Sequence, residues 1–395
     1  MKAGWQTKTL GEICEVINGG TPKTGTKEYW GGQHQWITPA EMGKRSSPYV
    51  DETERTVTDA GLQNSSARML PPYSVILSSR APIGHLVINT EPMATNQGCK
   101  GLVPSNQLHN KFLYYYLSSI VDLLNDLGSG ATFKELSGGK LKEIGIPFPP
   151  LPEQQRIVGI LDEAFDGIAT AKTNAEQNLQ NARALFESHL QSVFTQRGEG
   201  WVDRTLDQVC IVERGSSPRP IKKYFTTAPD GVNWIKIGDT EEGGKYVYST
   251  AQKITPEGAK QSRFVKEGDF ILTNSMSYGR PYIMKTSGYI HDGWFVLRLN
   301  ISIDTDYFYY LLSSGFVQAQ FAQLASGSVV KNISGDLVKQ AILPIPPLAH
   351  QHVIVEKLLA ISAETQRLES LYQRKLAALD ELKKSLLHQA FSGAL

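Results

Sequence analysis

The chain is short of cysteine, of net charge and of long apolar runs, and each shortage excludes something. Its three cysteines, Cys14, Cys99 and Cys210, form no CxxC pair and no metal-ligand spacing. That removes disulfide scaffolds and zinc ribbons and fits a reducing, cytoplasmic compartment. No apolar run approaches the ~20 residues that span a bilayer, and the opening MKAGWQTKTLGEI has no apolar signal segment, so no membrane is expected. Net charge is +1, with 14 Lys+Arg against 13 Asp+Glu over residues 1–152 and 16 against 15 over 199–348. Neither segment is a basic tail or a bulk polyanion binder. A nucleic-acid surface would need its cations gathered on one face.

Catalytic motifs are also missing. GGTPKTGTK (19–27) has the glycines of a phosphate loop, but its lysine is displaced from the G-K-[ST] position that reaches phosphate. LPPY (70–73) has leucine where adenine amino-methyltransferases carry the Asn or Asp that holds the target amine. Pro229-Asp230 lacks the following Glu-x-Lys of a common nuclease metal site, and the histidines form no HxxxH or HExxH.

What the chain does have is a repeat. IPFPPLPEQQRIVGIL (146–161) returns as LPIPPLAHQHVIVEKL (343–358), with Pro147/Pro344, Gln154/Gln351 and Ile157/Ile354 all 197 apart. TLGEICEVINGGTPK (9–23) returns as TLDQVCIVERGSSPR (205–219) at 196, pairing Cys14 with Cys210 and Gly19 with Gly215. VILSSRAPIG (75–84) matches FILTNSMSYG (270–279), and SGATFKELSG (129–138) matches SGSVVKNISG (326–335). Units this long are far beyond solenoid repeats; the chain is a tandem duplication of a domain with an appended helix.

Each copy reads as mixed α/β. The β-branched runs SVILSSR and DFILTNS suit buried strands. The Tyr114–Tyr116 and Tyr309–Tyr310 stripes read as helical core packing, and Cys14 and Cys210 as small buried apolar residues. After each Pro-Pro the apolar positions step by three and four for ~42 residues, a coiled-coil seam. Pro152 fits a first helical turn, where its missing N–H costs nothing. Ile157, Leu161 and Ile168 of one helix, and Leu358, Ile361 and Leu379 of the other, are expected to lie buried where the two helices pair antiparallel. Pairing is favoured over folding back onto each helix's own domain. The expected boundaries are a first domain 1–152, a helix 153–198, a second domain 199–348 and a helix 349–395. A pseudo-two-fold axis would relate the halves.

Framework words match between the copies while polar loops differ, SSRAPIGH against TNSMSYGR. Such divergence suits two related but unlike ligands. A DNA-reading protein, a two-domain coiled-coil scaffold and a DNA-modifying enzyme are the classes to separate.

The proline-to-helix phrase, its echo, the W…TLGEICEVINGGTPK opening and GSGATFKELSGGKLKEIGIPFPP together resemble the specificity subunit of Type I restriction–modification systems, across the whole chain. LAHQH (348–352) departs from the family's Pro-Glu-Gln helix start. The resemblance implies two target recognition domains, each reading half of a bipartite duplex DNA site. It implies helices that space the domains and dock two methyltransferase (M) subunits, with two restriction (R) subunits in the full complex. This chain would be non-catalytic and bind no cofactor or metal. S-adenosylmethionine would belong to the M partner, and ATP and Mg to the R partner. The candidate DNA contacts are Lys23, Ser79, Arg80, Asn96, Gln97 and Lys134 in the first domain. In the second they are Arg219, Lys236, Asn274, Arg280, Trp294 and Lys331. Exchanging residues 1–150 for a relative's equivalent should change one half-site and leave the other, as read by methylation-site sequencing. A change in both halves, or in neither, would refute two separate readers.

Overall fold

The structure is a computed structural model describing residues 4–80, 82–130, 134–241, 243–274, 279–325 and 334–395. It divides into two compact units, Met1–Ala175 with Arg374–Leu395, and Glu176–Gln373. No described helix is long and apolar enough to cross a membrane.

In the first unit a five-stranded sheet runs in the order Cys14–Asn18, Cys99–Pro104, Val75–Ser79, Ile83–Asn89, Tyr49–Val50. Its pairs are antiparallel except the last, which is parallel. The central strand Val75–Ser79 is buried at every position, and its alternation explains why. Val75 and Leu77 pack with Phe112 and Leu113 of the helix Asn110–Ser119, whereas Ile76 packs with Ile37 and Met93 of a second sheet. A strand covered on both faces reads as a continuous apolar run rather than an alternating one. The second unit repeats this: Phe270 and Leu272 face Phe308 and Leu311, while Ile271 faces Ile235 and Ile290. Tyr115, Tyr116 and Tyr310 lie buried in these cores, as do Cys14 and Cys210, whose thiols burial pushes up to about 12.

The proline phrase closes each domain. Gly145–Phe148 pairs antiparallel with Gln6–Thr9, and Ile342–Ile345 with Val202–Thr205. The backbone then turns through Pro-Pro into a helix of 45 residues, Leu151–Thr195 in one case and Leu348–Ser392 in the other. These helices start two and one residues ahead of the expected boundaries. A buried glutamine anchors each start. Gln154 accepts the His109 N–H at 2.8 Å and donates to the carbonyls of Gln107 and Pro149 at 3.0 and 2.9 Å. Gln351 accepts the Asp304 N–H at 2.8 Å and donates to Pro346 at 2.9 Å. Both side chains are at most 1% exposed.

Within the first unit the helices run antiparallel, with Arg156 Nη2 2.9 Å from the Leu395 carbonyl and Lys172 2.6 Å from Asp380. Within the second, Arg183 lies 3.4 Å from Glu369, while Leu190 and Phe194 join Val355 and Leu358 in one cluster. The expected pairing is present, but the seam is shared with the domains. Ile157 and Leu161 sit among Leu113, Leu141, Leu387 and Ala390, and Leu358 among Tyr307, Leu311 and Leu343. Folding back and pairing therefore occur together. Ile168 is 7% exposed, but Ile361 and Leu379 are only half-buried. Both lie on the second long helix, Leu348–Ser392, at positions left partly open to water. Ala175 and Ala182 of the first long helix are buried instead, as close helix approach requires.

Each domain also encloses an ammonium among tyrosines, built from opposite sides in the two copies. Lys111 lies 2.7 Å from Asp162 and within 5.5 and 5.9 Å of the Tyr49 and Tyr115 rings. Lys245 lies 2.5 Å from Asp306, with Tyr246, Tyr309 and Tyr310 around it. Asp306 holds the repeat position of Lys111, while Asp162 corresponds to Leu359 and Lys245 to Pro48. An anion thus stands where the first copy has its cation, and the second copy's cation comes from a new position beside the kept rings.

Gln154→Ala or Gln351→Ala should each cost about 3 kcal/mol, because two or more buried backbone groups lose their partner. Denaturant titration of the full chain measures this, and a change under about 0.5 kcal/mol would remove the glutamines from their anchoring role.

Candidate nucleic-acid interface

At one edge of the first domain the loop 19–26 lies against 95–98. Gly19 is required there, since a Cβ would stand 2.0 Å from the Asn96 carbonyl oxygen. The second copy repeats the constraint, with a Cβ on Gly215 falling 2.1 Å from the His291 carbonyl oxygen. These are close backbone crossings rather than phosphate cradles, which accounts for glycines in an incomplete phosphate-loop pattern.

On this edge Lys23 is exposed and its carbonyl accepts the Trp30 indole N–H at 3.3 Å. Gln97 is exposed and bonded to the Thr21 hydroxyl. Asn96 is tied down: its amide donates to Thr21 Oγ1 at 3.0 Å and its Oδ1 accepts the Gly98 N–H at 2.8 Å. Arg80 is one-third exposed and 3.6 Å from Glu135, a carboxylate shared with the buried Lys100 at 3.7 Å. Lys134 is exposed beside that glutamate. Ser79 is a correction. It is fully buried, its hydroxyl donating to the Gly98 carbonyl at 3.1 Å, so it holds the strand to the loop and has no route to a ligand.

The second edge gathers around Asp292. Arg219 is 81% exposed and 3.3 Å from this carboxylate. The Ser217 hydroxyl donates to it at 2.6 Å, and that bond leads the causes holding the Asp292 carboxyl below its ordinary range. Burial pushes the neighbouring His291 down. Lys236 is half-buried, with its backbone N–H bonded to Asp239 at 2.7 Å. Arg280 is half-buried and its N–H bonds the Thr273 hydroxyl at 3.0 Å. Asn274 and Trp294 are further corrections. Asn274 is 1% exposed and donates to the Asp292 carbonyl at 2.6 Å, fixing the loop that carries it. Trp294 is fully buried against Tyr282, ring centroids 5.8 Å apart, so it is core and not a stacking platform. Lys331 lies outside the described residues.

The structure thus brings together 21–23, 80, 96–98 and 134–135 on one edge, and 217–219, 274 and 291–293 on the other. Sequence reading passed over Arg55, which stands over the Trp30 ring at 3.8 Å. Nothing local in the acidic stretch DETERTV marks it, because its platform is 25 residues away.

Residues 2–180, and again 198–375, match the family described as the Type I restriction modification DNA specificity domain. The chain belongs to this family. Among related specificity subunits, MjaIX of Methanocaldococcus jannaschii is 34% identical over 240 residues, 57% of this chain and 56% of that one. EcoR124I/EcoR124II of Escherichia coli is 33% identical over 173 residues, 42% of each chain. EcoBI of Escherichia coli is 24% identical over 358 residues, 82% of this chain and 74% of that one. The chain spans about half the length of the first two of these relatives. The fold is shared with a chain solved in a study of complex assembly in a type I R-M system, at TM-score 0.82 and 18% identity, covering 100% and 99% of the two chains. The HsdS subunit of Thermoanaerobacter tengcongensis gives 0.66 at 19% identity, covering 100% and 98%.

In this specificity-domain chain, Asn274→Ala should lose about 1–3 kcal/mol of stability, since a buried carbonyl loses its donor. Arg219→Ala, on the surface, should stay within about 0.5 kcal/mol of the parent. Thermal melts of both variants decide this, and the reverse ranking would contradict the burial pattern.

Proposed function

We propose that the chain is the sequence-reading subunit of a Type I restriction–modification complex, with each domain reading one half of a bipartite duplex DNA site. One observation carries this reading: the DNA specificity domain match occurs twice, on two edges with the same frame and different side chains. Gly19 and Gly215 make the same close crossing, yet the residues at and after the crossing are Asn96 and Gln97 in one copy and His291 and Asp292 in the other. A kept frame with exchanged polar groups is what two unlike half-sites need. Arg, Asn, Gln and Lys are the residues that read base edges and hold phosphates.

In this reading the antiparallel helices space the domains and offer two equivalent docks. Two M subunits would bind one such chain, and R subunits would complete the complex in the cytoplasm. The chain itself would carry no cofactor and no catalysis. Methyl donation would fall to S-adenosylmethionine in the M subunit, and ATP with Mg would serve the R subunit.

Purified alone, the chain should not transfer a labelled methyl group from S-adenosylmethionine to DNA. With M added it should direct methylation at a bipartite site, in a two-to-one complex by native mass spectrometry. Binding by the assembly should weaken steeply with salt through counterion release. Methyl transfer by the isolated chain would overturn the assignment, and a salt-independent complex would favour a scaffold.

A further inference from the structure

Arg55 is exposed and held over the Trp30 ring at 3.8 Å, with the Trp36 ring 5.1 Å away. The platform is fixed from below. Trp30 meets Trp36 edge-on with centroids 4.9 Å apart, and the fully buried Trp36 donates its indole N–H to the Gly20 carbonyl at 2.9 Å. Trp30 in turn donates to Lys23, so the arginine's support is bonded into the loop of the candidate edge. Three acidic side chains of the same region are engaged elsewhere. Glu54 pairs with Lys44 at 2.9 Å, Glu41 with Arg45 at 2.8 Å, and Asp59 with His34 at 2.8 Å. Among the described residues none pairs with Arg55.

We propose that Arg55 is a base-reading side chain of the first recognition domain and that its partner is a guanine in the major groove. The inference rests on the DNA-reading function proposed above. A guanidinium over a ring face spends no hydrogen bond there, so its five N–H groups remain for acceptors. Holding the head over the indole removes rotamer freedom before binding, which lowers the ordering cost at an interface. The guanine O6 and N7 form the acceptor pair that an arginine fork matches.

The second copy supplies an independent observation. Val57 is followed by Thr58, whose hydroxyl caps a short helix at the Gly61 N–H. Ile254 is followed by Thr255, which caps the equivalent helix at Gly258. Trp30 pairs with Val57 across the ladder, and Phe225 pairs with Ile254 in the same way. Two residues before these anchors stand Arg55 and Gln252. The backbone position is kept, while the side chain changes from the type that reads guanine to the type that reads adenine.

The test uses the full chain assembled with its methyltransferase subunits. Methylation-site sequencing defines the site, and domain exchange assigns the half read by residues 1–150. Duplexes carrying each of the four base pairs at every position of that half then compare the parent with Arg55→Ala and Arg55→Lys. Lysine keeps the charge and loses the fork. Both variants should keep the parent's melting temperature and its reading of the other half-site. Both should lose roughly ten- to a hundredfold of discrimination at one guanine position. Unchanged discrimination everywhere, with or without uniform weakening, would overturn base reading by Arg55. Relaxation at a position that is not guanine would overturn the assigned partner. A parent complex without sequence preference would instead overturn the functional reading on which the inference rests.

Discussion

A single buried glutamine at the start of each long helix ties the architecture together. Gln154 and Gln351 reach backwards from the first helical turn into the loop that opens the domain's core helix. They also hold the carbonyl of the preceding proline at 2.9 Å. The second proline of each pair accepts backbone N–H groups of the first helical turn, Pro150 from Glu153 and Gln154 and Pro347 from His350 and Gln351. The first proline's carbonyl is taken by the glutamine amide, which has both donor and acceptor character. Because an unpaired buried polar group costs about 1–3 kcal/mol, the helix has one entry geometry. The apolar residues that follow, Ile157 and Leu161 in one copy and Leu358 in the other, are thereby delivered onto the domain core.

With the joint fixed, the domain edges are free to diverge. The glycine crossings at 19 and 215 and the fully buried central strands are the same in both copies. The charged groups are not. The ammonium among tyrosines shows how far exchange can go: Lys111 draws its anion from the long helix, whereas Lys245 draws it from Asp306 inside the domain. The rings and the net charge of the nest survive while the positions that supply cation and anion change. The candidate edges show the same freedom, with Glu135 shared by Arg80 and Lys100 in one copy and Asp292 held by Ser217 and Arg219 in the other.

The repeat, the long helices and the buried strands were legible because they are written in periodicity and in matched spacing. The edges were legible only as locations. Ser79, Asn274 and Trp294 look like loop readers by composition, but Ser79 ends a strand buried on both faces and Asn274 bonds a carbonyl across the loop. Burial of a polar residue depends on a partner distant in sequence, and no local pattern reports it. Arg55 was missed for the same reason, since its platform comes from another strand. Ile361 and Leu379 fit the heptad seam, yet periodicity does not say how many neighbours a seam has. Both stay partly open to water on the second long helix.

The central claim is that one duplicated frame carries two independent readers. Methylation-site sequencing in a host that expresses this chain with the methyltransferase subunit proposed to join it tests it most directly. The account predicts one motif made of two unlike half-sites separated by a spacer of fixed length. A single uninterrupted motif, or two identical inverted halves, would contradict it.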